Sequence, residues 1–282
     1  MTIENTLETK SSVIAFGKRD MHGACRKQDV ALKVVKQPGD EWHSGEVLAA
    51  FNGKGFVRVY EHAPGAVLLE RLRPGNSLVE LSLNDRDDEA TDILAYVIQQ
   101  MSSAEFSTSE RESRNPPPAL QHCPTVHDWA KAFDRYIAAA DEQIPMDLVT
   151  AGQRVYLDLS LSQQRQILLH GDLQHYNVLF DSDRGWLAID PKGVFGEIEY
   201  EIGAALRNPV ERPELFLSNS TIERRLGQVT SRLNLDYERT LAWGFAQAVL
   251  SAIWGIEDGF TVDATNPGLR LAAVMRPMLQ PN

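Results

Sequence analysis

The stretch HGDLQHYN (170–177) is followed by the apolar run VLF, a polar DSDRG, and a second run that ends in an acid, WLAIDPKG. Asp172 precedes Asn177 by five positions and Asp190 follows it by thirteen. Gly171 breaks an apolar run that resumes after Asn177, so the intervening segment reads as a loop between two buried stretches. DSDRG (181–185) is turn chemistry and WLAID (186–190) a strand candidate, which makes 177–190 a β-hairpin. Folded about that turn, Asn177 comes opposite Asp190 to within one residue of register. Paired positions in an antiparallel ladder lie about 5 Å apart, a separation that one bound ion spans. A carboxylate and an amide oxygen are hard donors of the kind Mg²⁺ takes, alongside waters and substrate phosphates. Asp172, in the loop just ahead, is placed to accept the proton of an attacking hydroxyl. A competing chemistry makes His170, Asp172 and His175 the ligands of a transition metal in a hydrolase. It leaves Asn177 and Asp190 without a task.

The elements that must position these groups fall into two parts. Residues 13–17 (VIAFG), 30–35 (VALKVV), 56–62 (FVRVYEH) and 66–70 (AVLLE) are short β-like runs separated by turns, as in a small antiparallel sheet. EWHSGEVLAAF (41–51) has helical spacing at Trp42, Leu48 and Phe51 and is closed by Asn52 and Gly53. RLRPGNSL (71–78) carries a Pro-Gly turn and serves as a hinge. Beyond it, 88–104, 127–144 and 241–259 have helical patterns, and FSTSERESRNPPPA (106–119) reads as an exposed connector. The expected fold class is therefore α+β, a small sheet with one helix followed by a mainly helical part. Lys33 lies within the apolar strand VALKVV, and Glu41 and Glu46 are acids available to it on the next element.

Composition narrows the function classes. The chain has 282 residues, enough for two lobes around a cleft, with 43% hydrophobic and 24% charged residues, as in an ordinary globular protein. Its 28 basic and 39 acidic residues give a net charge of −11, which argues against a nucleic-acid backbone binder and mildly favours cationic partners. Cys25 and Cys123 form no C-x-x-C pair, in keeping with a reducing cytoplasm and no disulfide framework. Neither a signal peptide nor a membrane-length apolar run is present. A G-x-x-x-x-G-K-[ST] phosphate loop is also absent.

The D-L-x-x-x-N spacing with a later aspartate is that of protein-kinase catalytic loops. HGDLQHYN followed by IDP resembles the aminoglycoside phosphotransferase family, which shares a protein-kinase-like fold. GWLAIDPKGVFGEIEYEIGAALRNP is most similar to the branch of streptomycin 6-phosphotransferases and aminoglycoside or hydroxyurea resistance kinases. The resemblance implies a nucleotide-binding lobe over 1–73, a catalytic and substrate-binding lobe over 74–282, and ATP and Mg²⁺ as cofactors. It makes Asp172 the catalytic base, with His170 bracing its loop, and Asn177 and Asp190 the magnesium ligands. Lys33 would hold nucleotide phosphates, oriented by Glu41, whose E-x6-L spacing to Leu48 matches the family helix better than Glu46 does. Ser11 and Ser12 would lie in the loop covering the nucleotide, and the backbone of Glu70 and Leu72 would face the adenine. Acids beside aromatic surfaces suit a cationic, hydroxylated small-molecule acceptor. Glu197, Trp254 and Asp258 are the candidates for it, Glu197 because VFGE follows the metal motif as in that branch. Lys192 and the acidic IEYE depart from the branch pattern, which keeps a hydroxyurea kinase or a kinase for another small hydroxylated metabolite as an alternative. A pseudokinase is disfavoured by the complete set Lys33, Asp172, Asn177 and Asp190.

Overall fold

The apolar runs of the first seventy residues pair into a five-stranded antiparallel sheet of order β1-β2-β3-β5-β4. Its strands are β1 (Thr2–Glu8), β2 (Ser12–Asp20), β3 (Lys27–Val35), β4 (Val59–Ala63) and β5 (Ala66–Glu70). This is a computed structural model describing residues 1–20, 27–39, 41–103 and 121–279. The connector 106–119 and Cys25 lie outside the described residues. Alternation does not foresee β1, because an edge strand exposed along its whole length has no buried face to leave a period-two signature. FVRVYEH divides between two tasks. Phe56 bridges to Ala188 and the Val57 N–H donates to the Ala188 carbonyl at 3.0 Å, so only Val59–Ala63 joins this sheet.

Helix α1 (Ser44–Phe51) starts three residues later than its pattern. The Trp42 N–H donates to Gly39 and the Trp42 carbonyl accepts from Gly65, which keeps Glu41–His43 in a turn docked on the β4–β5 hairpin. Val47, Leu48 and Phe51 are buried, and Asn52 caps the helix in the left-handed conformation at φ 49°.

In the second part come β6 (Pro74–Ser77), α2 (Val79–Leu83), α3 (Asp87–Ser102), α4 (Val126–Trp129), α5 (Lys131–Ala139), α6 (Met146–Leu161), β7 (Ile167–Leu169), β8 (Val178–Asp181), β9 (Gly185–Ala188) and β10 (Val194–Gly196). They are followed by α7 (Gly203–Leu206), α8 (Pro213–Phe216), α9 (Asn219–Leu233), α10 (Tyr237–Glu257) and α11 (Pro267–Met275). The expected helix 127–144 is two helices, the second stopped by Ala140 at φ 51°. The Pro-Gly segment read as a hinge contributes β6 to a sheet of order β6-β8-β9, while β7 pairs with β10. Helix α10 runs through the core, packed against α6 and α11. Tyr156, Tyr200 and Trp243 meet edge to face there, with ring centroids 5.1 to 6.1 Å apart. A buried ion pair ties α3 to α9: Arg225 Nε and Nη2 donate to Asp87 at 2.9 and 2.6 Å. Burial opposes that charge, but the Arg225 fork outweighs it and holds the Asp87 carboxyl well below its ordinary value.

Candidate active site

Strand β7 delivers the chain into the loop HGDLQHYN, and the turn before β10 grips its first residue. The Lys192 and Gly193 N–H groups donate to the His170 carbonyl at 2.9 and 3.0 Å. Gly171 has φ 82°, and a Cβ there would lie 2.8 Å from the Trp129 ring and 3.0 Å from Val194, so glycine is required. Glu201, fully buried, accepts the N–H groups of His170, Gly171 and Leu173 at 2.8, 3.1 and 3.3 Å. His170 Nε2 lies 2.8 Å from the Ile189 carbonyl, which can only accept, so Nε2 carries the proton. Its Nδ1 then accepts the Asp172 N–H at 3.2 Å. Burial lowers the pKa of this imidazole, which is neutral at pH 7. Both nitrogens are thus committed to backbone groups, and the ring ties the Asp172 N–H to the end of β9.

The hairpin register is Val178↔Ala188 through Asp181↔Gly185, and the Ile189 N–H donates to the Asn177 carbonyl at 2.9 Å. Asn177 thus faces Ile189, one position from Asp190 and within the expected register. Asn177 Nδ2 donates to the Asp172 carbonyl at 2.9 Å, which fixes the amide and leaves its oxygen for another partner. Asp190, at φ 60°, projects toward the first sheet, where Lys33 Nζ forms a close ion pair with its Oδ1. The same ammonium lies 2.7 Å from Glu41 Oε2. Burial alone would lower the Lys33 pKa, but Asp190 and Glu41 together raise it. Glu41 reaches Lys33 from the turn ahead of α1, while Glu46 bonds His43. The amide oxygen of Asn177 and the second carboxylate oxygen of Asp190 are the hard donors that a magnesium ion takes, so this pair fits the ion.

Two residues central to the loop escaped the sequence reading. Glu201 was one of several acids in IEYE, and nothing in spacing marks it as the group that holds three loop N–H donors. Arg207 Nη2 lies 3.2 Å from Asp172 Oδ1, and its Nη1 is held by Gln247 Oε1 and the Gly203 carbonyl, both at 3.2 Å. Arg207 thus engages Oδ1 and not Oδ2 of Asp172. The transition-metal set does not assemble. His175 is buried against Arg225, with neither ring nitrogen hydrogen-bonded among the described residues. Burial first, then Arg225, pushes its pKa down to about 3.

Two cavities adjoin the Lys33–Glu41 ion pair, one lined by the lysine and the other by the glutamate. One, of about 390 Å³, is apolar, walled by Ile14, Ala31, Val67, Leu69, Leu179 and Ile189, with Glu70 and Leu72 at one end and Lys33 and Asp190 at the other. The Glu70 carboxylate turns away to the Arg58 N–H and to Arg184, leaving backbone at the cavity edge. The other cavity, of about 600 Å³, is polar and brings together Lys10, Ser11, Lys36, Glu41, Lys192 and Asp258. Ser11 donates to Glu41 Oε1 at 3.1 Å. Ser12, at the start of β2 beside the same turn, is buried and its N–H donates to Thr9 Oγ1 at 3.0 Å. Trp254 sits near this cavity, but its face holds the Lys192 ammonium, 5.5 Å from the ring centroid, and Trp129 packs edge-on. Glu197 is also corrected. It follows β10 at the end beside Ile167, away from the loop, and its buried carboxylate accepts from Arg239 Nε at 2.5 Å and from Trp243.

Burial pushes the Glu201 carboxyl up to about 7 from an ordinary 4.5, against the three N–H bonds that favour its charge. The unfolded chain therefore releases this proton first. Between pH 4.5 and about 7 the group progressively lowers stability, by on the order of 3 kcal/mol in all. Only the ionised form accepts all three N–H groups fully, so loop order increases over the same interval. Turnover should therefore show an acid limb near pH 7 while the thermal midpoint changes in the opposite sense. Paired pH profiles of turnover and melting for wild type and Glu201→Gln test this: both dependences should flatten in the variant, and an unchanged limb would place the titrating group elsewhere.

Residues 5–259 match the family described as aminoglycoside/hydroxyurea antibiotic resistance kinase. The chain is 33% identical to a streptomycin 3''-kinase of Klebsiella pneumoniae over 81% of its own length and 80% of the relative's. It is 28% identical to a streptomycin 6-kinase of Streptomyces griseus, over 88% and 77% of the two chains. Its fold is shared with a thermostable mutant of an aminoglycoside phosphotransferase crystallised with AMP-PNP and hygromycin B. That match has a TM-score of 0.66 at 18% identity and covers 98% of this chain and 94% of the other. No helix among the described residues is long and apolar enough to cross a membrane.

Proposed function

Because the chain belongs to the aminoglycoside/hydroxyurea antibiotic resistance kinase family, we propose that it moves the γ-phosphoryl group of ATP to a hydroxyl of a streptomycin-type aminoglycoside. It is a small-molecule kinase with a protein-kinase-like fold. The observation that carries the reading of its site is Lys33. This buried ammonium from the first sheet lies between Glu41 and Asp190; it lines the apolar cavity, while its partner Glu41 lines the polar one.

Residues 1–73 form the nucleotide-binding lobe and 74–282 the catalytic lobe. Adenine occupies the apolar cavity, facing the backbone of Glu70 and Leu72, and the phosphates reach Lys33. Asn177 and Asp190 hold Mg²⁺, which when bound neutralises charge on the phosphate oxygens. The acceptor enters the polar cavity beside Asp258 and Lys192. Asp172, oriented by Arg207 through one oxygen, takes the acceptor's hydroxyl proton on the other. Positioning by Glu201, His170 and Arg207 supplies most of what the protein adds, since phosphoryl transfer depends chiefly on orientation and charge stabilisation.

A second reading, a hydroxyurea or other small hydroxylated acceptor, is favoured by one feature. Lys10, Lys36 and Lys192 outnumber the acids lining the polar cavity, an arrangement that does not suit a polycation. An ADP-release screen with Mg²⁺ and ATP over streptomycin, hydroxyurea and amino alcohols separates the two. Release with streptomycin, and a phosphate on one of its hydroxyls by NMR, is the expected result. Silence with streptomycin and release with hydroxyurea or an amino alcohol rejects the aminoglycoside.

A further inference from the structure

We propose that His43, Glu46 and His122 form a binding site for a transition-metal dication of the Zn²⁺ class, one that clips helix α1 to the segment leading into α4. Among the described residues, these three bring one ligand atom each to within 4.8 Å of one another. His43 immediately precedes α1 and Glu46 lies three residues on, a spacing that sets both side chains on one face. His43 Nδ1 is 3.0 Å from Glu46 Oε1. The ring of His122 stacks on that of His43 at 3.8 Å with 8° between planes, and its Nε2 lies 4.0 Å from Glu46 Oε2.

A second observation points to a ligand there. Glu46 Oε2 is buried and accepts no hydrogen bond among the described residues, an arrangement that costs free energy unless another group satisfies the oxygen. Two imidazoles and a carboxylate are a zinc donor set, leaving a fourth position for water. Tetrahedral bonds of about 2.0–2.1 Å require ligand atoms about 3.3 Å apart, and an imidazole binds through a lone pair in its ring plane, so the His122 ring must leave its stack on His43 as the group closes. His122, whose side chain is 46% exposed, is free to turn inward. Imidazole donors also separate this site chemically from the all-oxygen pair Asn177 and Asp190.

The position has a mechanical consequence. Val47 of α1 and Cys123, next to His122, both crowd Gly193, where a Cβ would meet them at 2.6 and 3.0 Å. An ion here would therefore hold α1 and the 122–123 segment together against the turn that leaves Asp190.

The test uses full-length protein stripped of metal with a chelator and then titrated calorimetrically with Zn²⁺, with Co²⁺ as a spectroscopic probe. Expected are one equivalent of Zn²⁺, a higher melting temperature on binding, and the intense visible absorption of four-coordinate Co²⁺. His122→Ala, at an exposed position, and the isosteric Glu46→Gln should each weaken binding by at least the roughly 10–100-fold that loss of an outer-shell partner causes. Circular dichroism confirms that each variant is folded. The proposal is overturned by wild type that binds no Zn²⁺, by His122→Ala binding as tightly as wild type, or by a weak six-coordinate Co²⁺ spectrum.

Discussion

Asp172→Ala and Asp172→Asn should each lower kcat for phosphoryl transfer by about 10²–10⁴-fold, the usual worth of a positioned general base, while leaving the fold intact. The argument rests on how completely the loop around Asp172 is held by other residues. Glu201 binds the N–H groups of His170, Gly171 and Leu173, and His170 Nδ1 binds that of Asp172. None of these contacts uses the Asp172 carboxylate, so removing it deletes a chemical group without unlatching the loop. The asparagine variant is the stricter probe, because its amide oxygen can still accept from Arg207 Nη2 where Oδ1 now lies 3.2 Å away. It keeps the geometry and loses the basicity. Single-turnover kinetics report the chemical step, and urea denaturation reports the fold. Undiminished turnover in either variant removes Asp172 from the reaction, and a large loss of stability in the asparagine variant would show that the carboxylate is structural.

Asp190→Asn should abolish most of the gain in nucleotide affinity that Mg²⁺ provides. Asparagine is chosen because Asp190 has φ 60°, a left-handed conformation that asparagine adopts at lower cost than alanine. Replacing a charged partner by a neutral one removes about 1.5–3 kcal/mol, or roughly tenfold to 150-fold in Kd. Calorimetric titration with ATP, with and without Mg²⁺, gives the ratio of the two affinities. In wild type that ratio should be large, and in the variant it should fall toward unity. Lys33 adds an internal check. In the variant it keeps Glu41, 2.7 Å away, so metal-free nucleotide binding should change little. An unaltered ratio would take Asp190 out of the metal site.

The parts of this protein that the sequence disclosed share one property: their geometry is local. The hairpin 177–190 is a turn between two short runs, so its register follows from counting, and Asn177 comes within one position of Asp190. Strands β2, β3 and β5 bury part of their apolar runs, β5 in strict alternation, and are visible as β-like runs, whereas β1, exposed along its length, is not. Lys33 stands out as the lysine of an apolar strand, but its reach to Asp190 joins residues 157 positions apart.

What the sequence determined by itself was the order of the chemical groups, the hairpin between two of them, and a sheet ahead of a helical part. Only the tertiary structure decided which acid holds the loop, which cation faces Asp172, and which candidates stand aside. Glu197 and Glu201 are four residues apart in one acidic run, yet Glu197 is taken by Arg239 and Trp243 while Glu201 lies beneath the loop. Arg207 meets Asp172 because the chain following Glu201 turns back under the loop, where Gln247 of α10 holds the guanidinium. The physical reason is common to these cases. A carboxylate in a polar stretch carries no sign of its burial, which is set by packing against α10, a helix that begins some forty residues later in the chain.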